Sequence, residues 1–154
     1  MRATFKSVAV ALAILVSVLG VLIAVDASKN VAVAVSNTYI KVAVVDLDGV
    51  AVHNAKVTVG EQSFYTDNKG MSPSIELTTM VNCYDNSITE WGTVTVLIER
   101  EGFVPTFVFN CVVYGGDTRK LAVKIYAQDG SELPYVSYVE SPPGDYIQKL
   151  LSEK

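Results

Sequence analysis

Histidine occurs once in this 154-residue chain, as His53, tryptophan once, as Trp91, and cysteine twice, as Cys83 and Cys111. This scarcity removes several chemistries. One histidine and two cysteines distant from it in sequence do not make a zinc site, which asks for four nitrogen or sulfur ligands at short spacings. Nothing places a particular serine and aspartate beside His53, so no Ser-His-Asp set can be named, and His53 reads as a solvated loop histidine. Neither cysteine lies in a nucleophile motif. Charged residues make up 18 %, below the usual quarter, and no run of like charges stands out. The formal net charge of -4 leaves no basic excess to displace counterions from phosphates, which argues against nucleic acid as a partner. Gly115-Gly116 lacks the lysine and following helix of a phosphate loop. Asp46/Asp48 and Glu99/Glu101 read as turn formers and strand-end charges rather than a glycosidase pair. No internal repeat appears at solenoid periods. The expectation is a chain with no catalytic residues, no metal and no cofactor, and not an enzyme.

What the sequence does have is a long apolar run at its beginning. Arg2 and Lys6 precede residues 7–25, which carry no charge and are mostly Val, Ala, Leu and Ile; charge returns at Asp26. Positive residues followed by such a run form an export signal. An amphipathic core helix would show a polar face, and this run has none. Two fates stay open for residues 1–27. The small residues of V-D-A at 25–27 suit cleavage after Ala27. The length of the run suits an uncleaved helix crossing the membrane, with the positive end kept in the cytoplasm. Either way the remainder is expected outside the cytoplasm. Cys83 and Cys111 fall in that exported part, an even count that suggests a disulfide. Such a bond would stabilise the fold by about 3–4 kcal/mol in the loop-entropy model.

Residues 28–38 read as a linker, with 31–35 as an optional added edge strand. Residues 39–127 then alternate in short segments. Residues 39–46 (Y-I-K-V-A-V-V-D) are rich in β-branched side chains, and L-D-G at 47–49 supplies a turn in which Gly49 takes positive φ and Asp48 bonds its own backbone. Residues 55–59 set Lys56 and Thr58 outward. Further strands are predicted over 63–66, 74–77, 92–100, 103–114 and 121–126. About seven short strands with turns near every ten residues indicate an all-β, immunoglobulin-like sandwich. Its expected core includes Val42, Val44, Val57, Val59, Val94, Val96, Ile98, Phe107, Phe109, Val123 and Ile125. Residues 78–90, around Cys83, read as one long loop, the kind that is functional or pinned. Residues 128–154 form a tail in which Pro134, Pro142, Pro143 and Gly144 break any strand. Residues 145–152 are predicted as a short helix capped near Gly144 or Asp145, with Tyr146, Ile147, Leu150 and Leu151 on one face that either packs back on the chain's own strands, the favoured reading, or docks on a partner.

V-V-D-L-D-G-V-A-V-H-N-A-K-V-T-V, then T-D-N-K-G and E-G-F-V-P, resemble the carboxypeptidase regulatory-like domains, whose fold is a transthyretin-like β-sandwich. The likeness covers about residues 39–126. It rests on turn positions: Asp46 and Gly49, Ala55 and Val57, Thr66, Asp67 and Gly70, and Gly102 and Phe103. Asn54 stands where the family often has glycine, and residues 78–90 are longer than usual. The resemblance makes the stretch from Thr66 to Gly70 a hairpin connection, with Asp67 capping the turn and Gly70 in the left-handed position. A calcium loop would need the distal Glu and more alternating oxygen ligands. In metallocarboxypeptidases this domain accompanies a separate zinc catalytic domain, which the exported part of this chain is too short to hold, so the resemblance carries no catalytic role. Related bacterial surface domains carry a Lys–Asn isopeptide bond; Lys41 lies on the first long strand, but 121–126 holds no Asn.

Two functional classes follow. One is a non-enzymatic structural or interaction module, membrane-tethered through residues 7–25 or secreted, whose partner is an envelope protein. The other is a glycan- or peptide-binding module using the 78–91 loop, with Tyr84 and Trp91 as the stacking residues. An accessory domain of an envelope enzyme complex is a remote third.

Overall fold

The structure, a computed structural model, describes residues 33–34, 37–130 and 133–153. The hydrophobic helix expected over residues 7–25, with the V-D-A motif, lies outside the described residues. Among those described, no helix is long and apolar enough to cross a membrane.

The described residues form ten strands and one helix: β1 (Val33–Ala34), β2 (Tyr39–Val45), β3 (Lys56–Val59), β4 (Gln62–Tyr65), β5 (Ile75–Glu76), β6 (Thr79–Met80), β7 (Trp91–Glu99), β8 (Thr106–Tyr114), β9 (Thr118–Lys124), β10 (Val136–Val139) and α1 (Gly144–Ser152). They make a five-stranded sheet in the order β10-β8-β7-β3-β4, a three-stranded sheet β5-β2-β9, and the pair β1-β6. Two pairings are parallel: β2 with β9 and β10 with β8.

The period-2 pattern explains most of the burial. Ile40, Val42 and Val44 of β2 are buried while Tyr39, Lys41 and Ala43 turn outward. Val57 and Val59 of β3, Val96 and Ile98 of β7, and Leu121 and Val123 of β9 do the same. All of these join one hydrophobic cluster drawn from both larger sheets.

β8 departs from the sequence expectation. Val94 pairs with Cys111 and Val96 with Val108, so two residues of β8, Phe109 and Asn110, face the single Thr95 of β7. This is a β-bulge, and Asn110 takes φ 56 within it. The bulge resets the alternation: Thr106 and Val108 are buried before it, Cys111 and Val113 after it. Phe107 and Phe109, expected in the core, instead lie on the outer face with rings stacked at 5.5 Å, and Phe109 is 37 % exposed. Both faces of F-V-F-N-C-V-V-Y are apolar, so alternation alone could not choose between them.

The tail also differs. Val136–Val139 is a strand after all, because the prolines flank it rather than interrupt it, and it adds in parallel to β8. The helix begins after Pro143 with no side-chain cap, in place of a Gly144 or Asp145 cap. The fixed φ of proline suits helix entry.

The turn residues tie one end of β2 together. Asp46 Oδ1 accepts from the amides of Asp48 (3.0 Å) and Val50 (2.8 Å), so Asp46 rather than Asp48 organises the first turn, with Gly49 at φ 81. Asp67 Oδ1 accepts from the amides of Lys69 (2.8 Å) and Met71 (2.9 Å). Those two bonds, the Met71 one first, hold the Asp67 carboxyl below the ordinary carboxylate range. Buried Thr66 accepts from Ala55 N and donates to Val52 O through its hydroxyl. Gly70 (φ 71) offers its carbonyl to Val44 N at 2.8 Å.

Candidate functional site

Residues 78–91 hold more structure than a bare loop. β6 pairs with β1, and buried Asn82 then pins the chain: its Oδ1 accepts from the amides of Tyr84 (3.0 Å) and Asp85 (3.1 Å), and its Nδ2 donates to Trp91 O (3.2 Å). Asp85 repeats the device one turn on. It accepts from the Ser87 hydroxyl (2.6 Å) and amide (2.9 Å), which together lower its pKa.

This folding brings Tyr84 and Trp91, the two candidate binding residues, to a ring separation of 6.1 Å. A third ring joins them from the tail. Tyr146 of α1 meets Trp91 edge-on at 5.6 Å and Tyr84 at 6.3 Å, and its hydroxyl donates to Tyr84 O at 3.5 Å. Trp91 is left 5 % exposed. Beside the cluster is an open recess of about 260 Å³ lined by Ile88, Glu90, Trp91, Tyr114, Tyr146 and Lys149. Tyr146 is the only one of the four expected helix contacts in this cluster; Ile147, Leu150 and Leu151 are exposed.

The polar side of the cluster is a relay linking the loop to β8, β9 and the residue after β10. The Tyr84 hydroxyl donates to Glu140 O (3.2 Å) and accepts from Asn110 Nδ2 (3.2 Å). Glu140 Oε2 accepts from Val112 N at 2.7 Å, and Oε1 pairs with Arg119 of β9. Asn82, Asn110, Arg119 and Glu140 do not stand out as site residues in the sequence. The local signal for Asn82 was N-C-Y-D, an Asx-turn pattern. Nothing local marks the other three, whose partners are distant in sequence.

The disulfide is corrected. Both thiols are free: Cys83 is exposed and Cys111 is buried. The Cys83 Sγ donates to Asn110 Oδ1 at 3.6 Å, whereas the neighbouring residue Cys111 turns into the core. The bulge thus places the two sulfurs in different environments. Burial, then the nearby Glu140 charge, pushes the Cys111 thiol up to about 11. It stays protonated at neutral pH and is a poor nucleophile.

The remaining expected positions are scattered. Asp46, Gly49, Thr66, Asp67 and Gly70 are engaged in turns at the end of β2, and His53 is exposed in the neighbouring turn. Lys41 has Lys120 as its register partner on β9. Among the described residues, no group of three His, Cys, Asp or Glu side chains is arranged to hold a metal ion. The aromatic cluster therefore offers ring edges and hydroxyls, most of them already bonded within the chain.

No family model and no curated protein matches this chain.

Proposed function

We propose that this protein is an exported, non-enzymatic surface module, built on a transthyretin-like β-sandwich and related to the carboxypeptidase regulatory-like domains. It serves as a structural and interaction domain outside the cytoplasm, tethered through residues 7–25 or released after Ala27. One observation carries this reading. The aromatic pair that would stack on a sugar or peptide, Tyr84 and Trp91, is closed by the chain's own Tyr146, and Trp91 is 5 % exposed. An aromatic used for ligand stacking presents a ring face to solvent.

The test uses the single tryptophan. The emission of Trp91 is followed in the full chain while soluble cell-wall glycan fragments are added. An unchanged spectrum is the expected result. A saturable shift would favour the alternative, a glycan-binding module using the 78–91 loop, for which the 260 Å³ recess at Trp91 and Tyr114 is the supporting feature.

A further inference from the structure

The five-stranded sheet extends β10 past β8, on the side where the three-stranded sheet stops at β9. Between them runs a groove of about 310 Å³ with Val108, Leu121 and Val123 at its apolar base and Tyr138 and Val139 along the other wall. No described strand pairs with the outer edge of β9. In parallel pairing, alternate residues turn their amides toward the partner strand. The Ile125 amide bonds Val45 O and the Asp117 carbonyl accepts from Tyr39 N, so the odd-numbered positions face β2. The amides and carbonyls of Lys120 and Ala122 consequently point away from β2 along the open edge. The edge ends at Lys124, whose carbonyl accepts from the Tyr138 hydroxyl at 3.2 Å.

Charge selects what such an edge accepts. The outer faces of β2 and β9 hold Lys41, Lys120 and Lys124 and no acidic residue, in a chain of net charge -4, while Arg119 on the inner side is already paired with Glu140, which lines the groove. Lys41 and Lys120 are register neighbours, a like-charge pair that weakens the sheet unless an anion compensates it. Lys120, Ala122 and Lys124 are exposed on the outer face, while Leu121 and Val123 point to the groove. Lysines on an edge strand discourage pairing with an identical edge, so a second copy laid β9 to β9 would meet its own charge.

We propose that the β9 edge binds an extended segment of a partner protein in which acidic and aliphatic residues alternate. The segment adds as a fourth strand to the three-stranded sheet. Its carboxylates lie over Lys120 and Lys124, and its aliphatic side chains enter the groove beneath β10. This inference makes no use of the aromatic cluster and stands apart from the reading of Trp91.

The experiment measures fluorescence anisotropy of two labelled seven-residue peptides, one alternating Glu and Val and one alternating Lys and Val, on the full chain. Amide hydrogen exchange is followed in parallel. The Glu/Val peptide is expected to bind at least about tenfold tighter than the Lys/Val peptide and to weaken with added salt. It should slow exchange of the Lys120 and Ala122 amides. Joint Lys120→Glu and Lys124→Glu substitution, at exposed positions, should reverse the preference. Tyr138→Phe, which frees the Lys124 carbonyl, should tighten binding of the acidic peptide. Equal affinity for the two peptides, binding of neither, or protection elsewhere would overturn the proposal. So would a dimer sealed by β9 in sedimentation without peptide, or binding to anionic phospholipid vesicles in the absence of peptide binding.

Discussion

Gly70 lies so close to the Val44 carbonyl that a Cβ on it would stand 2.4 Å from that oxygen, and its φ is 71. Gly49 has a comparable φ of 81 but nothing within 4 Å of the Cβ position. The two glycines therefore separate strain from contact. Gly49→Ala should cost about 1 kcal/mol, the strain of a left-handed alanine. Gly70→Ala should cost well over about 2 kcal/mol, since backbone must also move. Urea denaturation of the two variants side by side checks the difference.

Asp67 supplies a pH-dependent version of the same test. Its carboxyl is held below the usual range by the amides of Met71 and Lys69. A depressed carboxylate adds stability that is present above its unfolded pKa of about 4 and is lost as pH falls through its lower folded value. Asp67→Ala should therefore lower Tm at pH 7, and the gap to the parent chain should narrow as pH falls below about 4. Thermal scans at neutral and acid pH read this directly; a gap that is constant with pH would mean the carboxylate charge is irrelevant to the turn.

The thiols should behave unequally. Iodoacetamide on the native chain is expected to modify Cys83 alone, and Cys111 only after denaturant is added, because Cys111 is buried and protonated. Cys83→Ser should leave Tm unchanged in oxidising buffer. Intact mass after labelling counts the sites, and two unlabelled cysteines without reductant would restore the disulfide.

Tyr146→Ala should open one side of Trp91. The expected signature is red-shifted emission, stronger acrylamide quenching, and a loss of about 1 kcal/mol for one edge-to-face contact and its burial. If the emission does not move, α1 is not what shields Trp91.

Strands with one clear apolar face were legible in the sequence. β2 and β3 alternate hydrophobic and polar or small residues, and β7 holds Val96 and Ile98 inward, as read from T-V-T-V-L-I-E. The mostly-β fold with a carboxyl-terminal helix follows from such segments. β8 was legible as a strand but not in its facing, because Phe107 and Val108 are equally apolar and the bulge at Asn110 depends on its pairing with β7. β10 was hidden by its prolines: residues 136–139 are acceptable strand formers, and only the open edge of β8 turns them into a strand. Tyr84 and Trp91 could be singled out as aromatic residues near a loop, but their partner Tyr146 is brought by tertiary folding. The Arg119–Glu140 pair was out of reach for the same reason.

The seven-residue parallel register of β2 with β9, from Tyr39 against Thr118 to Val45 against Lys124, also has a mechanical meaning. The chain enters β2 at one end of this ladder and leaves β9 at the other. A tension applied between Tyr39 and Lys124 would slide these strands along one another and load their hydrogen bonds together, in shear. In an antiparallel hairpin pulled at its open end, the same bonds would break in succession. Parallel placement of the first long strand beside the last strand of the three-stranded sheet thus makes this strand pair resist a pull along its length better than an unzipping hairpin would.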